Sequence, residues 1–258
     1  EWHGSTASTL ADISTISPTL AIVRAPVDND GYKLIPGLTE TAGIGGHAHW
    51  HWLERGMYDR PAEDFVEHTH TVEVSEIDDG APDGAADDDA DGSITHRHKV
   101  VVPESAGVLG RVGVQFELPT GFDRVRWFGR GPGESYPDRM AGSMLGTRES
   151  DLDDPPYLVP QEFGLRTDCR WFELINSRTK AVVRSDAMAP TSLHISATRY
   201  RDADLLAAAH ETDLRPANAV IVKIDVAHRG IGTASCGPDV LPQYEISAGT
   251  HTFAYRLS

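Results

Sequence analysis

Short stretches in which β-branched or aromatic residues alternate with polar ones recur along the chain. Glycine, proline and aspartate clusters cut each one off. The clearest are "TLAIVRA", "FVEHTHTVEVSEI", "SITHRHKVVV", "RVGVQFEL", "RVRWFG", "LHISATRY", "AVIVKIDVAH" and "THTFAYRL". Successive side chains of a strand point to opposite faces, so this period of two encodes strands with one face buried, joined as antiparallel neighbours. Helix is scarce: in "DADLLAAAHET", Asp202 or Asp204 is expected to cap one short Ala- and Leu-rich turn. Strands do not alternate with long helices, which excludes a β/α barrel or a doubly wound sheet. The expected fold is all-β, a large antiparallel β-sandwich with very little helix.

A chain of 258 residues with 40% apolar content can bury the core of one large all-β domain, and residues 1–258 are read as one. Residues 1–25 are expected to hold the first strand and a junction to upstream domains, because the chain starts on Glu1 rather than Met. The net charge of -16 repels phosphate backbones and anionic lipid, so neither nucleic acid nor membrane is an expected partner. No run reaches the roughly 18 apolar residues of a membrane helix, and the first residues lack the basic-then-apolar order of a signal peptide. Two cysteines, Cys169 and Cys236, are no disulfide framework and fit a reducing compartment. The expected location is the cytoplasm.

Polar segments give weaker signals. The tract "DDGAPDGAADDDADG" is too charged to pack, so residues 78–92 are expected to form an acidic, flexible hairpin tip. Asp87, Asp89, Asp91 and Gly92 match the first half of a calcium-loop spacing, but His98 stands where the bidentate Glu belongs, which favours a solvated loop. Alternating histidines (His47, His49, His51; His68, His70; His96, His98) could share a metal from one strand face. Their charged neighbours favour exposed strands instead, with no metal. No G-x-S-x-G elbow surrounds Ser135, and no carboxylate pair stands out.

Two segments carry denser chemistry. "RWFGRGPGESYPDR", residues 126–139, is either a tight turn or a loop that meets a ligand. Gly131 and Gly133 allow backbone angles closed to other residues, with positive φ expected at Gly131, while Pro132 and Pro137 stiffen the segment between hinges. In "YLVPQEFGLRTDCRWFEL", Glu162, Arg166, Asp168 and Arg170 interleave charges before Trp171 and Phe172, as in a structural ion-pair network or a pocket wall.

Together with "RAPVDND" (24–30) and "HRGIGTASCGPD" (228–239), these segments resemble the C-terminal, small-chain domain of glycoside hydrolase family 2 bacterial β-galactosidases. The four stretches occur in the family's order and span most of the chain. The resemblance implies a supersandwich similar to galactose mutarotases, placed after a barrel that holds both catalytic carboxylates and the parent's magnesium and sodium. On that reading this chain contains no catalytic residue and no cofactor site. The parent would be a homo-oligomer that hydrolyses terminal β-galactosides with retention, this domain helping to support the assembly. The resemblance further implies that Gly131, Pro132, Gly133 and Glu134 form a mobile loop near the substrate. It puts Cys236 at the aglycone-side wall, where a thiol lacks the π-face that stacks on a pyranose, so Cys236 is equally read as a small buried apolar residue. Two alternatives remain open: a free-standing aldose 1-epimerase using a His acid and a carboxylate base, and a carbohydrate-binding module.

Overall fold

The computed structural model describes residues 18–23, 66–74, 93–104, 109–152, 155, 160–232 and 240–258. The acidic tract, His47, His49, His51, "RAPVDND" and Cys236 lie outside the described residues. Numbered in chain order, β1 (Thr19–Val23), β4 (Arg111–Pro119), β11 (Ala219–His228), β10 (Leu193–Thr198) and β7 (Arg166–Cys169) form one sheet in that spatial order. The second sheet runs β2 (Glu67–Val74), β3 (Ile94–Val102), β12 (Gly249–Leu257), β9 (Val182–Ala187), β8 (Trp171–Ile175), β5 (Arg124–Gly131), β6 (Met144–Asp151). Each neighbouring pair is antiparallel. The all-β expectation therefore holds.

Alternation decides the packing. Val112, Val114, Phe116 and Leu118 of β4 and Val220, Val222 and Ile224 of β11 share one buried cluster with Val125, Trp127, Phe172, Leu174, Phe253, Tyr255 and Leu257 of the other sheet. Each such side chain contributes about 1.5–3 kcal/mol by leaving water. The intervening residues of the five-stranded sheet, Arg111, Gln115, Lys223, Asp225 and His194 among them, fall on its outer face.

Strands β6, β7 and β9 are not anticipated by the sequence pattern. β6, "MLGTRESD", is an edge strand with no buried residue, so it carries no hydrophobic period to read. The helix α1 (Asp202–Ala207) forms as expected, but its cap differs: the N-cap is Arg201, without a side-chain cap bond, and Asp202 and Asp204 sit inside the first turn. Asp202 instead pairs with Lys223 Nζ. Among the described residues no helix is long and apolar enough to cross a membrane. Cys169 is a free, buried thiol whose pKa burial pushes up to about 12.

Candidate functional site

Segments far apart in sequence meet at one corner of the sandwich. The glycine-proline turn leaves the end of β5 at Gly131, whose peptide to Pro132 is cis. Pro132 and Gly133 form its exposed tip, while Ser135 and Tyr136 are fully buried. Positive φ belongs to Gly133 (+76°) and not to Gly131, which corrects the sequence expectation. Gly131 is needed for space: a Cβ there would lie 3.1 Å from Arg148 Cγ and 3.2 Å from Trp127 Cζ2.

Past its tip the loop is bonded to two partners. Glu134 accepts from the Gly164 N–H at 2.8 Å and pairs with Arg139. Ser135 donates its backbone N–H to Leu165 at 2.7 Å, its hydroxyl meets that of Thr167 at 2.8 Å, and Thr167 N–H donates to the same Oγ at 3.1 Å. Asp138 then accepts from the N–H groups of Ile231 (3.1 Å) and Gly232 (2.8 Å). Tyr136, Leu165 and Ile231 close the corner as a small apolar cluster. Three of the motif-bearing stretches, 126–139, 160–171 and 228–232, thus form one structure. Beneath the turn, the Arg166 guanidinium stacks 4.5 Å over the Trp127 ring, and Arg130 Nε donates to Asp168 at 2.5 Å. Arg166 and Asp168 therefore serve ion-pair and stacking roles, whereas Arg170 lies exposed.

Behind the corner lies a charge network on the outer face of the five-stranded sheet. Arg111 donates through Nε (3.2 Å) and Nη2 (2.5 Å) to the two oxygens of Asp225, and through Nη1 to Glu162 at 3.4 Å. The side chains of Arg111 and Asp225 are 2% and 0% exposed, so both charges persist only as a pair. Burial works against the Arg111 charge, yet Asp225 and Glu162 raise its pKa above the ordinary arginine value. Burial likewise opposes ionisation of Glu162, but Arg111, the nearest cation, holds it below the usual carboxylate range. His228 Nε2 stands 3.7 Å from Glu162 Oε1, while its Nδ1 meets the Arg229 carbonyl at 2.8 Å. The His228 ring also packs edge-on against Tyr136 at 5.5 Å, which joins the network to the loop. On β10, burial and the nearby His228 lower the pKa of His194 to about 4.

Arg111, Lys223, Asp225 and His228 were not singled out from the sequence. One signal was present: Lys223 and Asp225 interrupt "AVIVKIDVAH" two residues apart, which puts both on one face of a strand. His228 follows Asp225 by three and ordinarily would face the other way. The register slip between Asp225 and Ala227, where β11 carries one extra residue against β4, brings it back to the same side.

The histidine expectation is also corrected. His96 and His98 are 2% and 3% exposed and lie on the core-facing side of β3, with half-buried His68 and His70 of β2 beside them.

Comparison with known proteins covers nearly the whole chain. The family model for the β-galactosidase small chain matches residues 2–257. A protein named β-galactosidase from Arthrobacter sp. (strain B7) is 28% identical over 277 aligned residues, covering 96% of this chain and 27% of that protein. β-Galactosidases from Kluyveromyces lactis (32% identical, 57% of this chain, 14% of theirs) and Staphylococcus xylosus (30%, 59% and 15%) are similar over shorter spans. The chain thus spans about a quarter or less of the length of these relatives.

Proposed function

Because the chain belongs to the β-galactosidase small chain family, we propose that it is the non-catalytic C-terminal part of a glycoside hydrolase family 2 β-galactosidase, completing one wall of the active site with the tip of its glycine-proline turn. Catalysis, with its magnesium and sodium, takes place outside residues 1–258, in a cytoplasmic homo-oligomer that cleaves terminal β-galactosides with retention. The observation that carries this reading is the contrast inside the turn. Residues 134–138 are bonded to 164–167 and 231–232, while Pro132 and Gly133 project into solvent, with nothing within 4 Å of where a Gly133 Cβ would stand. A tip held on so firm a base can present backbone to a sugar in an adjoining domain.

Gly133→Ala tests the role of the tip, because the new methyl meets no neighbour and acts only through the backbone. At φ +76° it costs roughly 1 kcal/mol. In the full-length enzyme the expected result is a several-fold change in kcat/KM for a chromogenic β-galactoside, with the melting temperature lowered by only a few degrees. Unchanged kinetics would remove the tip from the active site. Residues 1–258 alone should not hydrolyse that substrate. Turnover that survives purification and vanishes on mutating a carboxylate of this chain would move the chemistry here.

One observation favours a second reading. His228 and Glu162 form a histidine and carboxylate pair on a sheet face, the residue types an aldose 1-epimerase needs. The His228 side chain has no exposed surface and Glu162 is held by Arg111, so the pair is placed for structure first. Optical rotation of α-galactose in the presence of the chain separates the two.

A further inference from the structure

Strands β2 and β3 bring four imidazoles into one stack. His70 lies opposite His98, and the core-facing positions of the two strands put His68, His70, His96 and His98 side by side. His70 and His98 stack with centroids 4.3 Å apart, and the stack continues onto Phe253 (4.7 Å from His98) and Tyr255 (5.1 Å from His96) of β12. Two contacts tie the strands together, His68 Nε2 to His98 Nδ1 and His70 Nε2 to His96 Nδ1, both at 3.0 Å. They leave the Nε2 atoms of His96 and His98 buried with no hydrogen-bond partner. A neutral imidazole has one donor and one acceptor, so whichever tautomer His96 and His98 adopt, each carries one unsatisfied buried nitrogen. Such groups call for an explanation, and coordination of an ion is one.

We propose that His70, His96 and His98 form a binding site for one first-row transition-metal dication of the zinc class, which joins the edge strand β2 to β3. Each of the three rings offers a nitrogen within 4.8 Å of the other two. Ligands about 2.1 Å from a zinc-class ion lie about 3.0–3.4 Å from each other, so binding draws the three nitrogens together, replaces the His70–His96 contact and turns the His70 ring out of its stack on His98. Imidazole nitrogen selects zinc, nickel, copper or cobalt over the hard ions magnesium and calcium. Binding needs neutral rings, so affinity falls as the pH is lowered. His70, half-buried on the edge strand, supplies the adjustable ligand, and the fourth position is left for water.

The test is Co²⁺ titration of the chelator-stripped, full-length protein in excess Mg²⁺, which keeps the parent's magnesium site filled, followed by visible absorption. One equivalent giving a d–d spectrum is expected, displaced by Zn²⁺ and not by Mg²⁺. His70→Ala should weaken binding by at least the roughly 10–100-fold that loss of an outer-shell partner costs. Thr71→Ala, one residue along and on the exposed face of β2, should leave it unchanged. Zn²⁺ should raise the melting temperature of the unmutated protein but not of His70→Ala. Cu²⁺ electron paramagnetic resonance on the unmutated protein, which needs no variant to fold, should show nitrogen hyperfine coupling. Absence of that coupling, or Co²⁺ uptake equal in the unmutated protein and His70→Ala, would overturn the proposal.

Discussion

Replacing Asp225 with asparagine keeps the shape of the most buried charge in the sheet and removes its sign. Among the described residues, the only carboxylate then left in contact with Arg111 is Glu162 at 3.4 Å, in place of the charged bonds of 3.2 and 2.5 Å it makes to Asp225. The Arg111 side chain is 2% exposed, so water cannot replace the lost carboxylate. Breaking a buried pair from one side costs about 3–5 kcal/mol, because an uncompensated charge stays behind. In a domain of this size each kcal/mol moves the midpoint by about 2–4 °C, so Asp225→Asn should melt roughly 10 °C lower. Removing both partners tests the cause. Arg111→Met with Asp225→Leu removes both charges of the pair, leaves Glu162 to Lys223 and His228, and should recover part of the loss, giving a coupling energy of at least about 2 kcal/mol in a double-mutant cycle by urea denaturation. If Asp225→Asn lies within 1 kcal/mol of the unmutated chain, or the double variant is as unstable as the sum of the singles, Arg111 and Asp225 are not a coupled stabilising pair.

Gly230→Ala should destabilise by about 1–3 kcal/mol, since its Cβ would fall 2.6 Å from Asp138 Cγ and push that carboxylate off the amides of Ile231 and Gly232; an unaltered thermal midpoint would contradict this. Gly131→Ala should cost less, because the Arg148 side chain, 3.1 Å away, can shift although Trp127 cannot, and calorimetry should rank it below Gly230→Ala. His194 supplies one part of the pH dependence, beside His96 and His98. Its folded pKa of about 4 lies below its ordinary 6.5, so the unfolded chain takes up the proton first, and its contribution, present above pH 6.5, fades as pH falls toward 4. The whole loss is at most about 3 kcal/mol. Asp225, Asp168 and Arg111 also face that ring, so the check is the difference in denaturation free energy between pH 7 and pH 4.5, expected to be smaller in His194→Gln than in the unmutated chain.

Legibility followed how local the physics was. The alternation in "RVGVQFEL" and "AVIVKIDVAH" is a property of each strand alone, and it foretold both the class of fold and the inward faces of β4 and β11. Where a strand is exposed at an edge, as β6 is, that signal has nothing to report. The conformational freedom of the glycine-proline turn was legible too. Which glycine needs positive φ was not, because that depends on the course of the chain beyond Pro132.

By itself, then, the sequence determined an antiparallel all-β chain, its acidic surface and the order of its motif-bearing stretches, since period and composition act over a few residues. Tertiary structure decided which of those stretches meet: Glu134 reaches Gly164, and Asp138 reaches Ile231 across 93 positions. It also decided the fate of the charged residues. Four histidines that look solvent-facing among their charged neighbours became one stack, with His96 and His98 buried, because β2 pairs with β3 in the register that sets His70 against His98. Asp225 and His228, three apart and nominally on opposite faces, came to one side through a single extra residue in β11. Register and bulges depend on the partner strand, and a partner strand is not a local property of the sequence.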